Sequence, residues 1–357
     1  NSPKQLPQID IEKAIEWVQR VNRIELAEMQ KEALRKAVTG KVMVITGGPG
    51  TGKTTLVNSI IKILGKKEQC IVLASPTGRA AKRLSEVTGR EAKTIHRLLE
   101  FSPSEGGFKR NGENPLDADL VIIDEVSMVD ILLMNHLLKA IPPLATLLLV
   151  GDADQLPSVG PGNVLKDIIA SERVDTIRLT EIFRQAQESL IVVNAHRVNR
   201  GEHLQLKTSP GQQDNLYFIN REEPEEVLAV IKELCKRRLP SAFHLDPLED
   251  IQVMTPMHRG TVGVANLNAE LQSLLNPNGK AVARGGRLFR VNDKVMQIKN
   301  NYEKETFNGD IGRIFGIDLE EQKLMVKFED RVLDYDWSEL DELVLAYAIS
   351  IHKSQGS

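Results

Sequence analysis

The chain has 357 residues, of which 41% are hydrophobic and 27% charged, with a formal net charge of −3. That length supplies roughly two or three domains with cores of their own, and the composition is that of an ordinary globular protein. The near-neutral balance excludes a generally basic nucleic-acid binder, so any such site must be a local groove. No apolar run approaches the ~18 residues of a membrane span, and the first residues do not read as a signal peptide. Cys70 and Cys235 make neither a disulfide framework nor a zinc cluster. A reducing, cytoplasmic setting without membrane contact is expected.

Residues 9–38 carry helical spacing, with Ile11, Ala14, Ile15, Val18 and Val21 on one face, and Trp17 fits a core position. Gln30 has a side-chain amide able both to donate to and to accept from an adenine edge, but a helix-surface glutamine reads the same way. The run Val42-Met43-Val44-Ile45 then leads into Gly47-Gly48-Pro49-Gly50-Thr51-Gly52-Lys53-Thr54, with Thr55 opening an amphipathic stretch. This is G-x-x-x-x-G-K-T between a buried strand and a helix, the context that makes a P-loop. Its glycines let backbone N–H groups curl around phosphate oxygens, and the helix dipole adds to them. Lys53 is placed for the β- and γ-phosphates and the Thr54 hydroxyl for Mg²⁺. The candidate nucleotide contacts are thus Gly48, Pro49, Gly50, Thr51, Gly52, Lys53, Thr54 and Thr55, with Gln30 in reserve.

Cys70-Ile71-Val72-Leu73-Ala74-Ser75 reads as a buried strand ending in Pro76-Thr77-Gly78-Arg79, and Thr94-Ile95-His96 opens another element. Hydroxyls and cations at such junctions can face phosphates or simply cap helices. Residues 100–118 are turn-rich with two aromatics, as a hairpin insert or an irregular loop would be. Leu120-Val121-Ile122-Ile123 ends in Asp124 and Glu125, two acids at the carboxyl end of a buried strand. Asp124 suits Mg²⁺ and Glu125 suits a base that polarises the attacking water. Thr146-Leu147-Leu148-Leu149-Val150 leads to Gly151-Asp152-Ala153-Asp154-Gln155, where Gln155 can sense a γ-phosphate. Residues 174–179 make a further strand before Arg184, whose cation can stabilise transition-state charge.

A first α/β domain is therefore expected over 41–188, behind a helical segment 1–40, with a second over 189–357. In the second, 190–198 reads as a helix, 216–219 as a strand and 223–239 as an amphipathic helix. A strand at 250–255 ends in Thr255-Pro256-Met257-His258-Arg259, echoing Ser75-Pro76-Thr77, and a helix at 262–275 follows. Residues 287–337 switch to period-two strands with tight turns, the pattern of a small β-barrel insert. Residues 344–351 return to an α/β strand ending in His352-Lys353-Ser354-Gln355.

In this order the segments resemble a superfamily 1 helicase of the RecD-like branch, the α subunit of exodeoxyribonuclease V and its stand-alone relatives. The matching stretches are Gln30, 47–55, 74–84, 94–99, 121–130, 149–162, 179–185, 256–263 and 348–356; Asp124-Glu125-Val126-Ser127-Met128 and 151–160 are specific to the branch. The resemblance implies an α/β fold of two RecA-like P-loop NTPase domains, with ATP in the cleft between them and an SH3-like barrel closing over DNA. It implies Mg²⁺ as cofactor, Gln30 as the adenine reader, Arg184 as an arginine finger and Gln155 as the coupling residue. Residues 100–118 would be the pin that splits a duplex. Movement would be 5′→3′ on single-stranded DNA and at single-strand/duplex junctions, in recombination or repair, with subunits of a nuclease–helicase complex as further partners.

The strand-gripping set is Pro76, Thr77, Arg79, Thr94, His96, His258, Arg259, His352, Lys353 and Gln355, acting mainly on the DNA backbone because a motor must accept any sequence. Two other readings keep the same P-loop: an ATPase that remodels protein, and a nucleotide-dependent DNA clamp without unwinding. The family's last motif, with a second arginine finger, is expected beyond Gly356, so the sequence reads as a fragment of a longer polypeptide.

Overall fold

The computed structural model describes residues 9–65, 70–102, 107–183, 188–206, 215–301, 303–329 and 331–355. Its contacts divide the chain into two units, Asn1–Phe218 and Ile219–Ser357.

In the first unit the apolar runs become strands: β1 Val42–Gly47, β2 Ile71–Ser75, β3 Ala92–Thr94, β6 Leu120–Ile123, β7 Thr146–Gly151 and β8 Asp175–Leu179. Between β3 and β6 lies a short antiparallel pair, β4 Phe101–Ser102 and β5 Gly107–Phe108. The six long strands form one parallel sheet in the order β3-β2-β6-β7-β1-β8. Both faces are covered, which is why these strands read as unbroken apolar runs. Alternate residues serve opposite cores. Met43, Ile45, Leu120, Ile122, Leu148 and Val150 pack with the helices Ile11–Asn22, Glu28–Thr39 and Lys53–Leu64. Val44, Val121, Ile123, Leu147 and Leu149 pack with Ile131–Ala140 and Val164–Ala170 on the other side.

In the second unit a parallel pair, β9 Val253–Thr255 and β17 Ala348–Ser350, puts Thr255 opposite Ser350. The helix Val264–Leu275 packs on it through Leu267 and Leu271. Beside this pair stands a five-stranded antiparallel sheet, β15-β14-β13-β12-β16, from Lys294–Gln297 (β12), Ile311–Asp318 (β13), Lys323–Phe328 (β14), Arg331–Asp336 (β15) and Leu343–Leu345 (β16). A hairpin of Ala281–Arg284 (β10) and Arg287–Arg290 (β11) shares its core, with Val282, Phe289, Ile314 and Tyr335 in contact.

Four expectations are revised. Residues 216–219 form no strand; Tyr217 and Phe218 are each 62% exposed, so a hydrophobic run is spent on the surface. The helix Leu190–Asn199 belongs to the first unit, where its His196 meets the P-loop at Pro49, and the division falls after Phe218 rather than after residue 188. The run 344–351 is split: β16 pairs with β12 and β17 with β9. Strand pairing of the small β domain reaches from β10 to β16, beyond 287–337 on both sides. Among the described residues, no helix is long and apolar enough to cross a membrane.

One buried carboxylate ties the barrel to the helix beside it. Asp293 is 0% exposed. It accepts from Gln272 Nε2 (2.6 Å), Asn276 Nδ2 (2.7 Å), Arg290 N (2.7 Å) and Tyr347 OH (2.8 Å). Removing it strands four buried donors, each of which carries a desolvation penalty. Asp293→Ala is therefore expected to destabilise the second unit by about 3 kcal/mol in urea denaturation, with Asp293→Asn intermediate. An Ala variant within 0.5 kcal/mol of wild type, about the size of an ordinary surface substitution, would show that the network carries no load.

Candidate active site

Six parallel strands that all run the same way deliver their carboxyl ends to one edge, and the candidates of the first unit other than Gln30 follow those ends. β1 ends at the P-loop, β2 at Pro76 and Thr77, β3 at Thr94, β6 at Asp124 and Glu125, β7 at Asp152–Gln155, and β8 at residues 180–183. Arg184 lies outside the described residues.

The loop turns on Gly50 (φ 74°) and Gly52 (φ 78°), left-handed conformations that favour glycine. Lys53 folds back over it, donating from Nζ to the carbonyls of Gly47 (2.7 Å) and Gly48 (3.1 Å). Thr51 Oγ1 donates to Gly48 O (2.8 Å). Thr54 and Thr55 stand at the start of the helix and line a cleft of about 420 Å³ with Asn22, Ile24, Asn58 and Arg83. Gln30 is brought to the loop but is 1% exposed. Its Oε1 accepts from Ala27 N (3.1 Å) and its Nε2 donates to Thr51 O (3.5 Å), so in this arrangement it braces the loop from behind. Reading an adenine edge would require it to leave both partners.

Asp124 and Glu125 are both sunk beside the loop, and Glu125 is held at φ 54°, a strained value for a residue with a Cβ. Asp124 Oδ1 accepts from Glu125 N (2.9 Å). Burial raises the Asp124 carboxyl above its ordinary value, opposed by that hydrogen bond and by the charges of Lys53 and Arg83. Burial raises Glu125 too, with the neighbouring Asp124 adding to it. Neither acid has an ion-pair partner within 4 Å among the described residues that offsets its desolvation fully, so both stand ready for a cation or a proton. Gln155 sits partly exposed on the next strand end, with its N–H on Asp152 O (3.2 Å).

The strand-contact candidates are placed unevenly. Thr77 Oγ1 accepts from Ala80 N (3.2 Å) and Thr94 Oγ1 from Arg97 N (3.1 Å), so both cap helices while each keeps its O–H as a donor. Arg79 is exposed and Pro76 half-buried. His96 is packed among rings, 5.8 Å from Phe101 and 5.7 Å from Phe108, at the base of the β4–β5 pair, and burial lowers its pKa. His136 closes the same cluster 4.6 Å from Phe108.

In the second unit His258 and Arg259 are exposed just past β9, and His352 just past β17, the two strand ends that lie side by side. Lys353 is less open: its Nζ donates to Asn308 Oδ1 (2.7 Å) of the barrel, and burial lowers its pKa. Gln355 is half-buried beside them.

Three further residues tie these strand ends together. Asp152, 3% exposed, turns the β7 loop through Asp154 N (3.0 Å). Thr46 Oγ1 accepts from Ala153 N (3.1 Å), lashing that loop to β1. Phe183 N donates to Gly50 O (3.3 Å), fixing the β8 exit to the P-loop. Asp152 and Phe183 lie inside the matching stretches 149–162 and 179–185, but nothing in the sequence singles out Thr46.

Two family models match the chain: one described as an AAA domain over residues 30–161, and one described as the ATP-dependent RecD-like DNA helicase SH3 domain over 267–328. The ATP-dependent RecD2 DNA helicase of Deinococcus radiodurans is 38% identical over 96% of this chain and 45% of its own length. The RecBCD enzyme subunit RecD of Mycolicibacterium smegmatis is 29% identical over 92% of this chain and 64% of its own. The chain thus spans less than two thirds of either relative. A Pif1 helicase from Bacteroides, solved with ADP-AlF3 and single-stranded DNA, superposes with a TM-score of 0.55 at 18% identity, covering 93% of this chain and 84% of that one, a likeness of fold.

The raised acids give a signed pH dependence. A carboxyl raised in the folded state binds its proton more tightly there than in the unfolded chain. Its contribution to stability is present below the unfolded value and lost as pH rises through the folded one. Glu125→Gln should therefore melt above wild type at pH 8 in chelator, with the gap closing as pH falls towards 4. A gap independent of pH would mean that the charge of Glu125 is not under desolvation strain.

Proposed function

We propose that this chain, which belongs to the RecD-like family of superfamily 1 helicases, works as an ATP-driven motor that moves 5′→3′ on single-stranded DNA and opens the duplex ahead of it. The observation that carries this reading is the single sheet edge on which the P-loop, the two half-buried acids and Gln155 lie beside Pro76, Thr77 and Thr94. A change in the phosphate contacts at that edge is felt directly by the neighbouring strand ends.

The residues have separable tasks. The loop amides between Gly48 and Gly52 cradle the phosphates, and Lys53 exchanges its two carbonyls for phosphate oxygens, a stronger charge-assisted contact. Glu125 takes the proton of the attacking water, a task to which its raised pKa suits it. Gln155 orients that water or reports the γ-phosphate from the adjacent strand end, and Arg184 supplies a cation. Thr54 and Asp124 offer hard oxygen donors of the kind that suit Mg²⁺, whose charge would screen the phosphate oxygens. The desolvated, only partly compensated carboxyl of Asp124 fits such a cation.

Arg79, His258, Arg259 and His352 are exposed cations or polar rings at strand ends and suit backbone contacts, so binding should weaken steeply with salt. Aromatic residues are only 4% of the chain, which leaves little base stacking. The β4–β5 pair, carrying Phe101 at 47% exposure, is the element suited to part a duplex. A role in recombination or repair, a cytoplasmic location and association with nuclease–helicase subunits belong to the same proposal.

Lys53→Ala should lower ATP turnover at least about 100-fold, since Lys53 is the loop's cation for the transferring phosphate. Single-stranded DNA should raise turnover of the wild-type chain, and duplexes with a 5′ tail should be opened in preference to those with a 3′ tail. Turnover indifferent to DNA would leave an ATPase of another kind, and preference for the 3′ tail would remove the assigned polarity.

A further inference from the structure

The helix Leu190–Asn199 lies on the P-loop through one side chain that no part of the proposed mechanism uses. His196 Nε2 is 3.0 Å from the carbonyl of Pro49. A carbonyl only accepts, so the imidazole carries its proton on Nε2 and donates it. The ring also lies so close to Gly48 that a Cβ there would come within 2.5 Å of His196 Cε1 and 3.2 Å of both ring nitrogens. The P-loop signature leaves this second position open to any residue. Here any side chain would have to push the histidine ring aside. Gly48 and Pro49 belong to the same stretch of loop whose Gly47 and Gly48 carbonyls hold Lys53.

The other face of this helix is equally committed. Asn194, 4% exposed, exchanges two hydrogen bonds with the backbone of Gln205, at 2.7 and 2.6 Å. Arg197 Nε donates to His203 O (2.6 Å). Leu190 N donates to Asn215 Oδ1 (3.0 Å). One short helix therefore grips the P-loop with His196 and the outgoing chain with Asn194, Arg197 and its own first turn.

We infer that His196 is a positioning residue for nucleotide binding, a latch that holds the Gly48–Pro49 segment in its phosphate-ready curve and passes a shift of that segment to the helix Leu190–Asn199. The inference rests on the P-loop being the nucleotide site. Donation from Nε2 fixes the Pro49 carbonyl outwards, so that the adjoining N–H groups stay aimed into the loop; without it the carbonyl can flip inwards, where it would repel a phosphate.

The test is the affinity of the full chain for ATP, read by equilibrium binding, in five variants whose melting temperatures are recorded alongside. His196→Phe keeps a ring but loses the donor, and should weaken ATP binding roughly three- to tenfold, the worth of one hydrogen bond. His196→Gln keeps an N–H donor and should recover most of it. Gly48→Ala should lose more than His196→Ala, because the methyl drives the ring off the loop and crowds it as well. The double variant Gly48→Ala/His196→Ala should bind better than Gly48→Ala alone, the non-additivity that direct contact demands. Binding of single-stranded DNA without nucleotide should be unchanged in the three single His196 variants.

Wild-type ATP affinity in His196→Phe, or losses that simply add in the double variant, would overturn the latch. Lys53→Ala separates the two levels of the argument. If it too binds and turns over ATP normally, the nucleotide site itself is misplaced; if it alone is impaired, only the role of His196 falls.

Discussion

A parallel sheet cannot scatter the ends of its strands. Each crossover must return the chain to the same edge, so whatever residues follow the strands of such a sheet are brought together whether or not they are close in sequence. In this chain Thr94 and Gln155 are carried to one edge by β3 and β7, alongside the P-loop on β1 and the acids on β6. The edge is also where backbone N–H groups of the following helices are unsatisfied, which makes it receptive to phosphate. The hydrophobic pattern that builds the sheet thereby decides where the polar residues meet.

The charges at that edge are held in a loaded state. Asp124 and Glu125 lie half-buried next to each other, and the cation that could neutralise them, Lys53, is instead held by two loop carbonyls. Such an arrangement stabilises neither partner strongly, because desolvation outweighs long-range attraction when no direct pair forms. It suits a site whose partners change during a cycle. The same economy is seen in the caps: Thr77 and Thr94 each terminate a helix with the oxygen and retain a proton to offer.

The second unit solves a different problem, that of keeping a small barrel in a fixed relation to the parallel pair from which it emerges. Five short antiparallel strands bury Phe289, Ile314 and Tyr335 but are joined to the rest by few residues. Asp293 supplies the missing constraint by taking one hydrogen bond from Gln272 of the helix Val264–Leu275, one from Asn276 that follows it, and one from Tyr347, two positions before Ile349 of β17. Lys353 adds a second tie through Asn308. Those ties fix the strand end that carries His352 relative to the barrel.

The sequence alone determined the parts that depend on local pattern. The Gly47–Thr54 loop, the acids after β6, the helices of the first forty residues and the period-two strands after residue 287 are legible because glycine geometry, burial and periodicity act over a few residues. Only the tertiary structure decided what depends on neighbours distant in the chain. The run 216–219 takes no strand conformation and leaves Tyr217 and Phe218 exposed, since β-propensity is decided by tertiary surroundings. The run 344–351 was divided between two sheets for the same reason, each half finding a different partner. Gln30 reads as a surface amide or an adenine contact, and the fold buries it behind Thr51 instead. His196 carries no spacing signal at all, because its partner Pro49 lies 147 residues away and is reached only once the sheet has closed.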